Sequence, residues 1–199
     1  QAHAETVAFY NDYKNLTGQC SFSSGCSDND VDQQFNGGQA TILGVEAVAG
    51  SDWFLSSSIW APLSVSYAYT HSEFDTSFNS GFPQYGAVEA GFYLPYLPQH
   101  QLALRAGLAH ERGQLSIGLS YRSAMLDTAG LLQEAEIPEL MLLDAAVEAN
   151  VSSDWLVYAT ANNLTNAKGI TSWRPFGARP TAPLQVMAGI KWQPSQQAY

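Results

Sequence analysis

The stretch Pro183-Leu184-Gln185-Val186-Met187-Ala188-Gly189-Ile190-Lys191-Trp192 decides the fold. Leu184, Val186, Ala188, Ile190 and Trp192 fall on one side of it, and Gln185, Met187, Gly189 and Lys191 on the other. A period of two belongs to an extended strand with one apolar face. Upstream, residues 155–161 read as a partner strand with Val157, Ala159 and Ala161 on the apolar side. That strand runs into Asn162-Asn163-Leu164-Thr165-Asn166 and then a basic loop that leads to Pro183.

The same stripe recurs toward the N-terminus, and the spacing predicts eight strands. The first covers residues 5–16, with Val7 and Phe9 opposite Thr6, Ala8 and Tyr10. The second, residues 39–49, sets Leu43, Val45 and Ala47 against Gly44 and Glu46, with a turn expected at Gly50-Ser51-Asp52. In the third, Leu63, Val65, Tyr67 and Tyr69 alternate with Ser64, Ser66, Ala68 and Thr70. The fourth sets Leu102, Leu104, Ala106 and Leu108 against Ala103, Arg105 and Gly107, and turns at Glu111-Arg112-Gly113. The fifth carries Leu115, Ile117, Leu119 and Tyr121 on one face, and the sixth Leu143, Ala145, Val147, Ala149 and Val151. A short helical turn is expected within residues 131–136. Long and very short connections alternate along the chain, as in an outer-membrane barrel whose two rims differ.

Composition narrows the class. At 199 residues with no compositional break, the chain reads as one unit, and its charged fraction of 13% is low against about 25% in soluble domains. A net charge of -10 with only 8 Lys and Arg excludes nucleic acid as a partner, because phosphate binding needs cations. No apolar run of roughly 18 residues is present, so no helix of this chain spans a bilayer. A charged-then-apolar leader is also missing, and a secretion signal is expected to have been removed or to lie upstream.

Antiparallel alternation also fits a soluble β-sandwich. Strands there run about 5 to 6 residues, whereas several here alternate for about nine or more, enough to cross a bilayer at a tilt. Trp53, Trp60, Tyr121, Trp155 and Trp192 near strand ends suit interfacial girdles. The presumed inward residues, among them Ser64, Ser66, Ala68, Ala103, Gly107, Ser116, Gly118, Ser120 and Ala146, are small. A closed eight-stranded tube lined this way would enclose a void, so a wider barrel fits better.

Cys20 and Cys26 lie six apart in a Ser/Gly/Asp/Asn-rich loop. With no His or third Cys nearby to complete a tetrahedral set, a disulfide is expected, and with it an oxidising compartment. The acidic run Asp28-Asn29-Asp30-Val31-Asp32 lacks calcium-loop spacing and reads as solvated. His3, His71, His100 and His110 are scattered, with no Gly-x-Ser-x-Gly motif. No enzymatic activity and no cofactor are expected, and His100 is read as fixing a loop end. The Asn-x-Ser/Thr matches at Asn15, Asn150 and Asn163 carry little weight.

Four segments, in order, carry a resemblance. They are Phe9-Tyr10-Asn11-Asp12-Tyr13-Lys14-Asn15-Leu16, Leu94-Pro95-Tyr96-Leu97-Pro98-Gln99-His100-Gln101-Leu102, Asn163-Leu164-Thr165-Asn166 and Arg174-Pro175-Phe176-Gly177-Ala178-Arg179-Pro180. Together they resemble the C-terminal part of TonB-dependent outer-membrane receptors, nearest the ferric-dicitrate and siderophore branch. The resemblance implies an all-β antiparallel transmembrane barrel of roughly 22 strands around a plugged lumen. This chain would supply about the last eight, with residues 1–193 in the wall and 194–199 as a tail. It further implies an outer-membrane location, a ferric citrate or siderophore-type chelate as ligand, and contact with lipid, with the plug and, through a missing N-terminal part, with the TonB complex. Family members usually end on a strand-closing aromatic, whereas here Trp192 is followed by Gln193, Pro194 and the tail.

Iron chelates of this kind are usually anionic, so the mouth needs cations. Lys168, Arg174 and Arg179 fall in one loop beside Trp173 and Phe176. Guanidinium groups can grip carboxylates through paired hydrogen bonds. Lys168, Trp173, Arg174 and Arg179 are therefore the candidate ligand contacts; the competing reading pairs the arginines with acidic groups of neighbouring loops. The competing function is a small autonomous eight-stranded barrel serving as anchor, adhesin or narrow pore.

Overall fold

The computed structural model describes residues 2–194, so the tail residues 195–199 lie outside the described part. Eight strands form one antiparallel sheet: β1 (Ala2–Tyr13), β4 (Ala40–Phe54), β5 (Ile59–Phe74), β8 (His100–His110), β9 (Gly113–Arg122), β10 (Leu140–Asn150), β11 (Trp155–Asn162) and β14 (Gln185–Trp192). Each pairs with the next in that order. Short hairpins lie in the long connections: β2 (Thr17–Gln19) with β3 (Gln34–Asn36), β6 (Phe78–Asn79) with β7 (Ala87–Val88), and β12 (Ile170–Ser172) with β13 (Arg179–Pro180). A 3-10 turn over Leu132–Glu134 falls inside the expected helical segment.

Register shows the two faces. Val45↔Tyr69, Val65↔Leu104, Leu104↔Leu119, Leu119↔Leu143, Val147↔Ala159 and Val157↔Ile190 run across the sheet on one side. Ser66↔Ala103, Arg105↔Gly118, Gly118↔Asp144 and Thr160↔Met187 run across the other. Most of the apolar face has no protein against it: Val45, Leu108, Ile117, Val147, Val186 and Ile190 are all exposed. Such a continuous apolar surface calls for a non-aqueous neighbour, and long, fully paired strands are what a bilayer admits. In β1 it is Thr6, Ala8 and Tyr10 that share the apolar face, because they pair with Ala47, Val45 and Leu43. Val7 and Phe9 lie on the polar side.

No second sheet packs over the first among the described residues, which removes the sandwich reading. Nor do the eight strands close: β1 and β14 each pair on one side only. A membrane barrel has no free edge, so these strands form an arc of a wider wall, and the small closed barrel does not describe them. Two further expectations are corrected. The turn expected at Gly50-Ser51-Asp52 lies instead at residues 55–58, since Gly50 and Ser51 sit mid-ladder opposite Ser64 and Leu63. Trp53, Trp155 and Trp192 share the apolar face at the short-turn rim, but Trp60, paired with Ala109, falls on the polar one.

Three glycines on the polar face are covered by rings from the neighbouring strand. A Cβ on Gly44 would meet Phe9 Cζ at 2.7 Å, one on Gly50 His3 Cε1 at 2.5 Å, and one on Gly189 Tyr158 Cζ at 2.5 Å. Each aromatic ring therefore lies across a glycine, which restores the contact that the missing side chain gives up. Substituting Gly44→Val in the full-length protein would force the Phe9 ring off and press on the Tyr69 carbonyl. We expect a loss of roughly 1–3 kcal/mol, read as an earlier urea unfolding midpoint; an unchanged midpoint would contradict the ring-on-glycine arrangement.

Candidate functional site

The arc has almost no core of its own, and the core lies in the long connections. Residues 14–39, 75–99, 123–139 and 163–184 all emerge at one rim, whereas 55–58, 111–112 and 151–154 make the short turns at the other. Ala40, Phe74, Val88 and Leu94 form one buried cluster, with Leu16, Phe78, Tyr85 and Ala129 packed against it. Cys20, Cys26 and Phe82 form a second, next to Val31 and Phe35. Phe35 stacks on Phe82 with ring centroids 3.9 Å apart, joining the first loop to the second. The disulfide expected between Cys20 and Cys26 is present, with Cα atoms 5.9 Å apart. In the acidic run, Asp30 accepts from Ser27 at 2.6 Å and Asp32 from Gln19 at 3.0 Å.

Polar fasteners complete this cap. Asn163, 4% exposed and at φ 53, closes the neck of the last loop. Its amide donates to the Ala167 and Ala182 carbonyls at 3.0 and 2.8 Å, and its oxygen accepts from Ala167 N–H at 2.8 Å. Its own backbone N–H donates to Asp144 at 2.8 Å, and Asn166 Oδ1 accepts from Leu184 N–H at 3.1 Å. Asn adopts a left-handed backbone more readily than most residues, so Asn163-Leu164-Thr165-Asn166 is a clasp. Arg122, at the end of β9, donates to the Pro138 and Ile170 carbonyls at 3.0 and 2.8 Å, tying two loops to the wall. His100 is hydrogen-bonded to Tyr67 through Nδ1 at 2.8 Å and receives Ser123 N–H on its carbonyl at 2.9 Å, fixing a loop end as expected.

The four residues singled out from sequence share this last loop but differ in circumstance. Arg174 is 15% exposed and pairs with Asp127, itself 12% exposed, at 2.9 Å. Its guanidinium also donates to the Pro83 and Ser24 carbonyls at 2.9 and 3.4 Å. The competing reading thus describes Arg174: it serves neighbouring loops. Trp173 donates its indole N–H to the Glu136 carbonyl at 3.1 Å, which fixes the ring's orientation while leaving it partly exposed. Lys168 and Arg179 are exposed. Phe176, 92% exposed, stands at the hairpin tip between β12 and β13.

Around Arg174 sits a polar group that sequence reasoning did not assemble. Tyr96 donates its hydroxyl to Asp127, accepts from Trp173 N–H at 3.3 Å and lies 3.4 Å from Ser172 Oγ. Glu136 accepts from Asp127 N–H at 3.0 Å. Tyr96 belongs to the segment from Leu94 to Leu102, but nothing in the sequence ties it to Asp127, 31 residues on. Burial first, and then its bond to Asp127, raise the Tyr96 phenol above its usual value of 10.0.

Comparison with known proteins follows the same outline. The family described as "TonB dependent receptor-like, beta-barrel" matches residues 2–164. Comparison with curated proteins gives no match. Among solved structures, the ferric-catecholate import receptor Fiu from E. coli K12, in a closed form, superposes with a TM-score of 0.62 at 13% identity. The alignment covers 96% of this chain and 25% of that one, so the chain spans about a quarter of its length. At that identity the likeness establishes the fold alone.

Two outcomes follow from these fasteners. Asn163→Ala takes the partner from the Ala182 carbonyl and the Ala167 N–H and leaves the Ala167 carbonyl to Thr181 alone, a loss of about 1–3 kcal/mol. Limited proteolysis of the full-length protein should then cut within residues 163–184 and spare the strands; an unaltered digest would remove the clasp role. The raised Tyr96 value means that its contribution is fully present below about pH 10 and is lost as pH climbs through the shifted value. The near-ultraviolet circular dichroism of the cap should therefore collapse in alkali before the far-ultraviolet strand signal does.

Proposed function

The chain belongs to the TonB-dependent receptor β-barrel family, and we propose that it forms part of the wall and mouth of a receptor that takes up a ferric chelate of citrate or siderophore type. Members of this family are outer-membrane transporters rather than enzymes, so the work is binding and passage, with no bond made or broken. The cap of four loops would face the cell exterior and the short turns the periplasm, the apolar face would meet lipid, and the polar face would meet the plug. Contact with the TonB complex would fall to a part of the receptor outside this chain.

The observation that carries the reading is the display on the last loop. It holds two exposed cations, Lys168 and Arg179, and two exposed aromatic rings, Trp173 and Phe176, on a neck fixed by Asn163 and Arg122. A pre-ordered display of this kind loses little entropy on binding, and charge-assisted bonds to a carboxylate or catecholate oxygen are the strong kind. Support for a siderophore also comes from the fold's likeness to a receptor whose own name records ferric-catecholate import. Neither the citrate nor the catecholate class is singled out by these groups.

The test is binding of radiolabelled ferric dicitrate and of a ferric tricatechol chelate to the full-length receptor. We expect saturable binding of one of them, weakened on the order of tenfold to a hundredfold in the double variant Lys168→Ala/Arg179→Ala, two charged hydrogen bonds being worth at least that much. Binding of neither chelate, or equal binding by the variant, would overturn the reading.

A further inference from the structure

The four long loops come from four separate hairpins, yet they are bonded to one another. Ala129 N–H donates to the Gln84 carbonyl at 2.8 Å and Tyr96 N–H to that of Leu126 at 2.9 Å, linking the second loop to the third. Phe35 on Phe82 links the first to the second. The fourth loop reaches the third through Trp173 and Glu136, and the second through Trp173 N–H and Tyr96. Arg174 is the side chain that reaches all three other loops at once: Ser24 in the first, Pro83 in the second and Asp127 in the third. Space has been left for it, because a Cβ on Gly25, at φ +83, would lie 2.9 Å from Arg174 Nη1.

We infer that Arg174 is a positioning residue for recognition, a latch that makes the four loops one body and holds the Trp173, Phe176 and Arg179 hairpin at a fixed place in the mouth. As a claim about recognition it rests on the proposed function; as a claim about the loops it does not. The guanidinium suits the task because its planar fork sends donors in several directions, whereas an ammonium is a compact point charge. Two of its three partners are backbone carbonyls, which offer no side chain to change. Asp127 supplies the counter-charge, and its other oxygen is held by Tyr96. A largely covered cation with a single opposed carboxylate is costly to break by removing one partner, so the latch stays shut through ordinary fluctuation. The consequence is that this arc acts as the fixed jaw of the mouth, and a ligand-driven closure would have to come from loops elsewhere on the receptor.

Hydrogen exchange of the full-length receptor without ligand tests the latch directly. In Arg174→Met, amides in all four loops, residues 14–39, 75–99, 123–139 and 163–184, should exchange about tenfold faster or more while the strands keep their protection. Asp127→Asn, which removes the charge and keeps the shape, should do the same. A rise confined to residues 163–184, or no rise in either variant, would overturn the latch. Cell uptake of whichever chelate the unaltered receptor binds, ferric dicitrate or a ferric tricatechol, tests the positioning role. Arg174→Met should raise the half-saturating concentration and leave the maximal rate unchanged, with Arg174→Lys falling between the two. A lowered maximal rate at an unchanged half-saturation would overturn it. If the unaltered receptor took up no ferric chelate, the proposed function would fail, and the exchange result would still decide the latch.

Discussion

Everything in this chain depends on the pairing of backbone groups along strands that have no protein covering their apolar side. In hydrocarbon each unpaired N–H or C=O costs several kcal/mol, so strands must be long, antiparallel and continuously laddered. β4 and β5 run in register from Ala40↔Phe74 to Phe54↔Trp60. This requirement explains features that side-chain preference alone would oppose. Gly50 and Ser51 look like a turn, yet the ladder runs through them because His3 lies over Gly50. The ring takes the place that a Cβ would fill, and the glycine's conformational cost is offset by contact.

An arc that points its apolar residues away from itself cannot use them to build a core. Most of the buried apolar side chains are accordingly at the loop rim, where Phe74, Val88 and Leu94 meet the loop aromatics. Surface loops normally avoid burial because their backbone groups need partners. Here those partners are supplied one by one: Asn163 serves Ala167 and Ala182, Arg122 serves Pro138 and Ile170, and Arg174 serves Ser24 and Pro83. The wall and the cap thus follow opposite rules, one held by a repeating ladder and the other by side chains used singly.

That difference governs what could be read from sequence. The ladder repeats every two residues, so all eight strands, the alternation of long and short connections and the apolar faces of seven strands are legible, the weak seventh included, whereas in β1 the apolar-looking Val7 and Phe9 lie on the polar side. The cap does not repeat. Arg174 meets Asp127 across 47 positions, and its other acceptors are carbonyls of Ser24 and Pro83, which leave no mark in a sequence. Composition could say only that acidic partners were plentiful. Three of the four segments that carry the family resemblance hold fasteners: Tyr96, Asn163, Asn166 and Arg174 each bind another part of the cap. A shared motif in such loops can therefore signal shared construction, since each of these residues holds the cap together.

The scarcity of positive charge sharpens this point. Of eight basic residues, Arg122 and Arg174 are engaged in fastening loops, and Arg105 and Lys191 belong to the wall strands. Net charge of this arc is strongly negative, so on the proposed function its long-range field would repel an anionic chelate. Physiological salt screens that repulsion beyond about 8 Å, which leaves short-range contacts to decide capture. A cation held on a rigid hairpin is more useful in this setting than a larger number of cations on mobile loops, because its position relative to the ligand does not have to be found again at each encounter. On the proposed function, the latched cap and the sparse charge would be two parts of one solution: where few cations can be placed at the mouth, the loop that carries them must be held still.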